Sequence, residues 1–257
     1  KGRFREFYQC DIDIIGDGEL SIINDAEMPS IIYTTIKELG FEDFTICINN
    51  RKILNGLFRE LKQEDLSVDI MRIIDKLEKI GEENVIASLK DLGVSEDAIS
   101  KIMEFIKIKG TTDEKLQALE NLQFNDELFI QGLTELKQVV NYVRMFGVPD
   151  KNFKVDLTIA RGLDYYTGTV YETFLNEYRE IGSVCSGGRY DNLAEFYTDK
   201  KLPGVGVSIG LTRLFYKLNE LNAIKETQKS IAKVLIAPMT ENIERALEVS
   251  KILRDNG

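Results

Sequence analysis

The stretch IARGLDYYTGTVYET, residues 159–173, decides how the rest of this sequence is interpreted. Apolar and β-branched residues lie on both sides of it, and Gly162 and Gly168 interrupt the pattern. Such a pattern predicts a β-strand, and glycines within it mark a bulge or the close approach of a ligand. The sequence therefore predicts a strand with a functional kink between its two glycines.

Arg161 directly precedes the first of these glycines, and Tyr165 and Tyr166 lie between the two. The guanidinium of Arg161 offers planar donors that suit a carboxylate or a phosphate. Adjacent tyrosines on a strand point to opposite faces of the sheet, so only one of the two is expected to face a given pocket. Composition alone favours a plainer interpretation, which is an edge strand with a solvated arginine and tyrosines packed in the core.

The composition is that of an ordinary globular protein. The 257 residues, 43% of them hydrophobic, suffice for one large domain and a smaller one. The sequence has no long apolar run and no secretion signal, so we expect no membrane span and predict a cytoplasmic protein. Cys10, Cys47 and Cys185 lie far apart, which argues against a disulfide framework or a zinc site.

The net charge and the absence of histidine limit the kinds of catalysis and binding that these residues allow. No histidine occurs in the sequence, which excludes imidazole acid-base catalysis and histidine-ligated metals within these residues. The net charge of -10 argues against a chain that binds nucleic acid non-specifically over its whole surface. A local basic patch, KGRFR at residues 1–5, is either a solvated loop or a contact surface.

Residues 7–14 predict a strand whose two faces differ in polarity. One face carries Phe7, Gln9, Asp11 and Asp13, and the other carries Tyr8, Cys10, Ile12 and Ile14. Glutamine and two aspartates on one face indicate either a binding face or a solvent-exposed face, and both alternatives stay open at this point.

Periodicity predicts a β-α-β-α beginning, a middle that forms a small helical bundle, and a return to strands. The predicted helices cover residues 27–39, 51–61, several amphipathic segments within 62–148, 211–221 and 242–256. The predicted strands cover residues 44–49, 153–171, 204–210 and 232–239.

Short polar and glycine-rich motifs add detail to this pattern. Asn49 and Asn50 predict a turn and a helix cap. Residues 186–188, SGG, predict a glycine turn, with residues 189–191 at the start of a helix. GVGVSIG at residues 204–210 lacks the Lys-Ser/Thr pair of a phosphate-binding P-loop, so it predicts a strand that packs closely against a neighbour.

Four stretches, taken together, resemble one family in the family's own order. RGLDYYTGTVYE resembles the first histidine-specific signature of the histidyl-tRNA synthetases. KGRFREFYQCDIDIIG resembles the second half of motif 2 of class II synthetases, VCSGGRYDNL resembles the second histidine signature, and PGVGVSIGLTRL resembles motif 3. The resemblance covers nearly the whole chain, with the helical middle matched by position more than by sequence.

The resemblance implies an α+β fold in which helices flank the antiparallel β-sheet of a class II synthetase. It divides the chain into the first part of a catalytic core, a helical insertion domain, the second part of the core and the start of an α/β anticodon-binding domain, at residues 1–61, 62–148, 149–228 and 229–257. It implies a ligase of protein biosynthesis that activates histidine with ATP to histidyl-adenylate and transfers it to tRNA(His). The expected partners are histidine, ATP with Mg²⁺ and tRNA(His), with a homodimer for the full-length protein and no metal site on the protein itself.

For ATP, the matched positions imply an aromatic platform and arginines. Phe7 matches the aromatic on which the adenine stacks, and Arg213, with Gly210 before it, matches the motif 3 arginine that holds the terminal phosphate. Arg3 matches the motif 2 loop that reaches the outer phosphates or the acceptor end of tRNA, and Arg5 is matched less closely.

For histidine, the matched positions imply a pocket on the polar strand face. Gln9 accepts from the substrate ammonium, Asp13 accepts an imidazole N–H, and Tyr166 meets the other ring nitrogen. Tyr165 and Tyr190 complete the pocket.

The resemblance assigns catalysis to Arg161, which bridges the histidine carboxylate and the α-phosphate. Motif 1, the first motif 2 arginine and an acidic residue that helps to hold the substrate ammonium do not occur in these residues. We therefore expect a fragment that is inactive by itself and weakly dimeric or monomeric. The alternative is a non-catalytic relative, either the regulatory subunit of ATP phosphoribosyltransferase or a tRNA-sensing regulatory domain.

Overall fold

The structure is a computed structural model that describes residues 5–159, 165–224, 232–239, 241 and 243–257. Contacts divide the chain into two compact units, residues 1–215 and residues 216–257. The helical middle groups with the sheet in the first unit, and the domain boundaries drawn from the resemblance stay predictions. Among the described residues, no helix is both long and apolar enough to cross a membrane.

The first unit is built on a six-stranded sheet. The strands are β1 (Cys10–Ile15), β2 (Phe44–Asn50), β3 (Phe153–Val155), β4 (Thr169–Leu175), β5 (Cys185–Tyr190) and β6 (Gly204–Ile209). Their order is β1-β6-β5-β4-β2-β3. Every neighbouring pair is antiparallel except β2 and β3, which run parallel. The sheet is therefore mixed, because the chain between β2 and β3 is long enough for a parallel crossover.

Among the described residues, seven helices lie between β2 and β3 in the sequence, one follows β1, and two follow β6. They are α1 (Ile23–Glu38), α2 (Arg51–Glu60), α3 (Ser67–Ile74), α4 (Leu77–Ile80), α5 (Glu82–Asp91), α6 (Glu96–Ile106), α7 (Thr112–Asn121), α8 (Glu127–Met145), α9 (Leu211–Glu220) and α10 (Ile243–Asp255). The Asn50 side chain caps α2 by accepting from the Lys52 N–H at 2.9 Å, which confirms the predicted cap.

One face of the sheet is covered by α1. Asp25 on this helix receives hydrogen bonds from Thr169, Tyr171 and Arg189, which alternate along β4 and β5. The residues next to them in each strand, such as Tyr190 after Arg189, consequently lie on the other face. That second face carries the polar residues of β1.

Predicted helices 27–39, 51–61 and 242–256 and predicted strands 44–49 and 204–210 are confirmed within a few residues at each end. The largest difference among them is α1, which begins at Ile23 and contains Pro29. The amphipathic segments of the middle also form helices, as predicted.

The prediction of one strand over residues 153–171 was wrong. The first strand in this range, β3, ends at Val155, and the next strand, β4, begins at Thr169. The Asp156 carboxylate accepts from the backbone N–H and the hydroxyl of Thr158 at 3.2 and 2.6 Å, which turns the chain out of the sheet. The predicted kink between Gly162 and Gly168 lies partly outside the described residues, which do not include residues 160–164.

The predicted glycine turn at residues 186–188, with a helix start at 189–191, was also wrong, because β5 runs through to Tyr190. Gly187 lies opposite Val207 in the ladder, and a Cβ there would come within 2.7 Å of the Val207 Cα. The glycines of this motif therefore allow close strand packing and do not make a turn.

The predicted strand over residues 232–239 was wrong as well. The structure describes all of these residues and assigns them no strand. Val234, Leu235 and Met239 are exposed, so this apolar run pairs with no strand among the described residues.

Candidate active site

A cavity of about 670 Å³ lies on the sheet face opposite α1. It is bounded by β1, β5 and β6 and by the two tyrosines that precede β4. Six site residues predicted from the sequence line this cavity: Gln9, Asp13, Tyr165, Tyr166, Tyr190 and Arg213. Gln9, Asp11 and Asp13 of the polar strand face line this cavity, and their side chains are also exposed to solvent.

Gly206 lines the floor of this cavity, and Gly204 lies beneath Tyr190 next to it. Gly206 lies opposite Asp13 in the ladder, and a Cβ on Gly206 would overlap the Asp13 carboxylate, 2.6 Å from its Cγ. Gly204 lies opposite Tyr190 in the same way, and its Cβ would come within 2.5 Å of the ring. These positions require glycine because the neighbouring side chains occupy the space above the strand.

Asp13 and Tyr190 meet across this floor. The Tyr190 hydroxyl donates to Asp13 Oδ1 at 2.7 Å. Burial raises the pKa of Tyr190 above its ordinary value, and the bond to Asp13 raises it further. The hydroxyl therefore stays protonated at neutral pH and acts as a donor.

Tyr165 and Tyr166, the tyrosine pair, both line the cavity. Their ring centroids are 4.6 Å apart, and the Tyr165 ring meets the Tyr190 ring edge-on at 6.1 Å. Burial raises the pKa of Tyr166, followed by its hydrogen bond with Tyr165. The prediction that only one tyrosine faces the pocket was wrong, because the pair precedes β4 and does not follow the alternation of a strand.

A second cavity, of about 320 Å³, adjoins the first. Phe7, Gly210 and Arg213 line it, and Gln9 and Ser208 line both cavities. The Phe7 side chain is exposed, so its ring is available for stacking. Arg213 donates to the Ser183 carbonyl at 2.6 Å, which holds the guanidinium at the junction of the cavities.

Known proteins of one family match this chain over most of its length. The family model described as histidyl-tRNA synthetase matches residues 1–214. The chain belongs to the histidyl-tRNA synthetase family. Among curated relatives of this family, the histidine-tRNA ligase of Clostridium tetani is 61% identical over 257 residues, and that of Finegoldia magna is 48% identical over 256 residues.

Solved structures agree with this family. The crystal structure of histidyl-tRNA synthetase from Nostoc sp. is 44% identical, has a TM-score of 0.84, and is matched over 99% of this chain and 60% of that one. A Bacillus halodurans structure named as an ATP phosphoribosyltransferase regulatory subunit/histidyl-tRNA synthetase is 22% identical with a TM-score of 0.69, which shows the fold alone. The class II synthetase fold is thereby confirmed. The chain spans only 58% and 59% of the lengths of the two ligases.

Two site residues that the family signatures assign lie outside the described residues, namely Arg3 and Arg161. The structure brings the other assigned residues to the two cavities: Gln9, Asp13, Tyr165, Tyr166 and Tyr190 to the larger one, Phe7 and Gly210 to the smaller one, and Gln9 and Arg213 to both.

Sequence reasoning missed the serines of the cavity. Ser186 and Ser208 lie opposite each other in the ladder, and Ser208 also lies opposite Asp11. The Gln9 side-chain amide donates to the Ser208 hydroxyl. The serine at 208 sits among glycines in GVGVSIG, a pattern that signals a floor position only once the pairing of β6 with β1 is known.

Proposed function

We propose that this chain is the catalytic-core segment of a histidine-tRNA ligase, which activates histidine with ATP and transfers it to tRNA(His). The observation that carries the proposal is the convergence of Gln9, Asp13 and Tyr190 with the tyrosine pair on one cavity. This set offers acceptors for an ammonium and an imidazole N–H beside a second cavity with an arginine at its junction.

Histidine fits the larger cavity by its hydrogen-bonding groups. The Asp13 carboxylate has four lone-pair sites and uses one of them for Tyr190. It therefore retains capacity to accept an imidazole N–H, while the protonated Tyr166 hydroxyl donates to the other ring nitrogen. Gln9 accepts from the ammonium group. A site built in this way disfavours substrates that lack the two ring nitrogens, since the polar groups of the cavity would then lose those partners.

ATP fits the smaller cavity. Phe7 supplies an aromatic face for the adenine, and Gly210 leaves the backbone open beside it. Arg213 is matched to the terminal phosphate, and Arg3 to the outer phosphates.

The described residues contain no cluster of three or more Asp, Glu, Cys or His side chains that would hold a metal. Mg²⁺ that enters with ATP needs only one or two protein carboxylates, because the phosphates and water supply its other ligands. Asp11 and Glu172 line the larger cavity, and their carboxylates would serve as these one or two ligands. Bound there, Mg²⁺ would supply countercharge to the phosphates.

Arg161 is assigned the central part in the reaction. An oxygen of the histidine carboxylate attacks the α-phosphorus of ATP, histidyl-adenylate forms, and pyrophosphate leaves. The step requires positioning and countercharge more than proton transfer. A guanidinium that bridges the carboxylate and the α-phosphate provides both.

The remaining assignments follow from the family and are part of the same proposal. They are a helical insertion at residues 62–148, an anticodon-binding domain that begins near residue 229, a homodimer, and a cytoplasmic location. A non-catalytic role, as an ATP phosphoribosyltransferase regulatory subunit or a tRNA-sensing domain, is the alternative. Two solved structures named for ATP phosphoribosyltransferase are 22% and 20% identical and support only the shared fold.

The test is histidine-dependent exchange of pyrophosphate into ATP by the full-length protein that contains this chain. We expect exchange with histidine and none with other amino acids. Binding of histidine without any exchange would instead establish the non-catalytic alternative.

A further inference from the structure

A buried ion pair lies beneath the cavity, on the face of the sheet that α1 covers. Arg189 of β5 donates from Nη2 to Asp25 Oδ2 at 2.7 Å and from Nε to both carboxylate oxygens at 3.1 Å. The Asp25 side chain is 0% exposed and that of Arg189 is 8% exposed. Arg189 Nη2 also donates to the carbonyls of Leu20 and Ser21 at 3.0 and 3.2 Å. The guanidinium is therefore held in one position from several sides.

A short chain of hydrogen bonds leads from this guanidinium to the cavity. Arg189 Nη1 donates to Asp191 Oδ1 at 3.3 Å, and Asp191 Oδ2 accepts from the Thr167 hydroxyl at 2.5 Å. The Asp191 N–H donates back to the Thr167 Oγ1 at 3.1 Å, and the Thr167 N–H donates to the Arg189 carbonyl at 2.8 Å. Thr167 is thus bonded through its side chain and its backbone to residues 189 and 191.

Thr167 directly follows the tyrosine pair and precedes β4, which begins at Thr169. Its neighbour Gly168 lies against the Arg189 side chain, where a Cβ would come within 3.0 Å of the Arg189 Cδ. We propose that Thr167 and Asp191 are positioning residues for the tyrosine pair. They tie the segment that carries the pair to an ion pair on the opposite face of the sheet.

This inference rests on the proposed function, because it assigns the pair to histidine binding. A tyrosine side chain placed by such a tie loses less freedom when the ligand binds. Loss of the tie should therefore weaken the binding of histidine. The binding of ATP should stay unchanged, because its assigned residues Phe7, Gly210 and Arg213 lie in other segments of the chain.

The test compares two threonine-to-valine substitutions in the full-length protein. Thr167→Val removes the hydroxyl that bonds to Asp191 and keeps the shape of the side chain. Its matched control is Thr173→Val in β4, because the Thr173 hydroxyl is buried without a hydrogen-bond partner among the described residues. Calorimetry measures the Kd for histidine and for ATP, and pyrophosphate exchange measures the KM for each.

We expect Thr167→Val to raise the Kd and KM for histidine about tenfold, the size of one bond to a charged group. The values for ATP should stay within about twofold, as should all values for Thr173→Val. A lower melting temperature with an unchanged Kd for histidine would overturn the inference, as would equal losses for histidine and ATP.

Asp191→Asn provides a second variant in case Thr167→Val does not fold. It removes the charge that links Arg189 to Thr167, and it should produce the same selective loss of histidine affinity. A wild-type protein that binds histidine without exchange would refute the proposed function while the Kd values still test the positioning residues. A wild-type protein that does not bind histidine at all would refute both proposals.

Discussion

Asp13 is the residue on which the proposed specificity depends most. It accepts from Tyr190 at 2.7 Å, and the glycine opposite it leaves room for its carboxylate. A charged acceptor in this position binds an imidazole N–H more strongly than a neutral amide does. Asp13 therefore contributes both to the shape of the cavity and to the proposed selectivity for an imidazole.

Asp13→Asn in the full-length protein should weaken histidine binding more than ATP binding. The amide replaces a charge-assisted bond and presents a donor on one side, which corresponds to a loss of about 1.5 to 3 kcal/mol. Tyr166→Phe should act on the same ligand, and the double variant should be non-additive because both groups contact one ring. Calorimetric titration of each variant with histidine and with ATP measures the effect. Equal losses for the two ligands would mean that these residues support the sheet and do not bind the imidazole.

Individual site residues were predictable only where a family signature includes them. Gln9, Asp13 and Tyr190 were assigned from resemblance and line the cavity. Ser186 and Ser208 were missed, because a serine reveals its role only through the register that places it opposite another strand.

Among the elements, the crossing of α2 and α8 depends on two glycines. A Cβ on Gly56 would lie 2.6 Å from the Cα of Phe129, and a Cβ on Gly132 would lie 2.7 Å from the backbone N of Ile53. The two helices therefore approach each other backbone to backbone. This contact fixes α8 beside the sheet, since α8 also packs against α1 and β2.

Gly132→Ala should destabilise the protein despite the better helix propensity of alanine. Propensity favours the change by about 1 kcal/mol, whereas overpacking against a backbone atom costs about 1 to 3 kcal/mol and requires the helices to separate. Chemical denaturation of the full-length protein measures the difference. Asn141→Ala, at an exposed position of the same helix, serves as the control and should be neutral or slightly stabilising. A stabilised Gly132→Ala variant would show that the crossing relaxes without strain.

Most elements were predictable from periodicity, and the failures share a cause. The sequence pattern predicts that the strand continues beyond Val155, but the turn made by Asp156 and Thr158 ends β3 there. The SGG motif reads as a turn because glycines favour turns, but Gly187 packs against Val207 of the neighbouring strand. Both outcomes depend on contacts between distant parts of the chain, which local patterns do not contain.

For this chain as a whole, the net charge of -10 restricts where the proposed contact with tRNA is made. An acidic surface repels a polyanion, so the proposed tRNA contact must come from a few local cations. Arg3 is one of the cations that the family signature assigns to this contact.

Arg3→Ala should lower the dependence of tRNA(His) affinity on salt. Loss of one phosphate contact reduces the slope of log K against log salt concentration by about 1. Fluorescence titration over a range of salt concentrations measures the slope. Lys37→Ala on α1, which covers the opposite face of the sheet, serves as the control and should leave the slope unchanged. Identical slopes for wild type and Arg3→Ala would place the tRNA contact elsewhere.

Under the proposed function, the glycines beneath Asp13 and Tyr190 have a consequence for redesigning the substrate range. Gly204 and Gly206 have no side chain that could be shortened, so the floor has no volume to give up. An enzyme that accepts a bulkier histidine analogue, such as one alkylated on the ring, must gain its space from the aromatic walls. Tyr190 is the first position to shorten, and doing so also releases the Asp13 oxygen that its hydroxyl occupies.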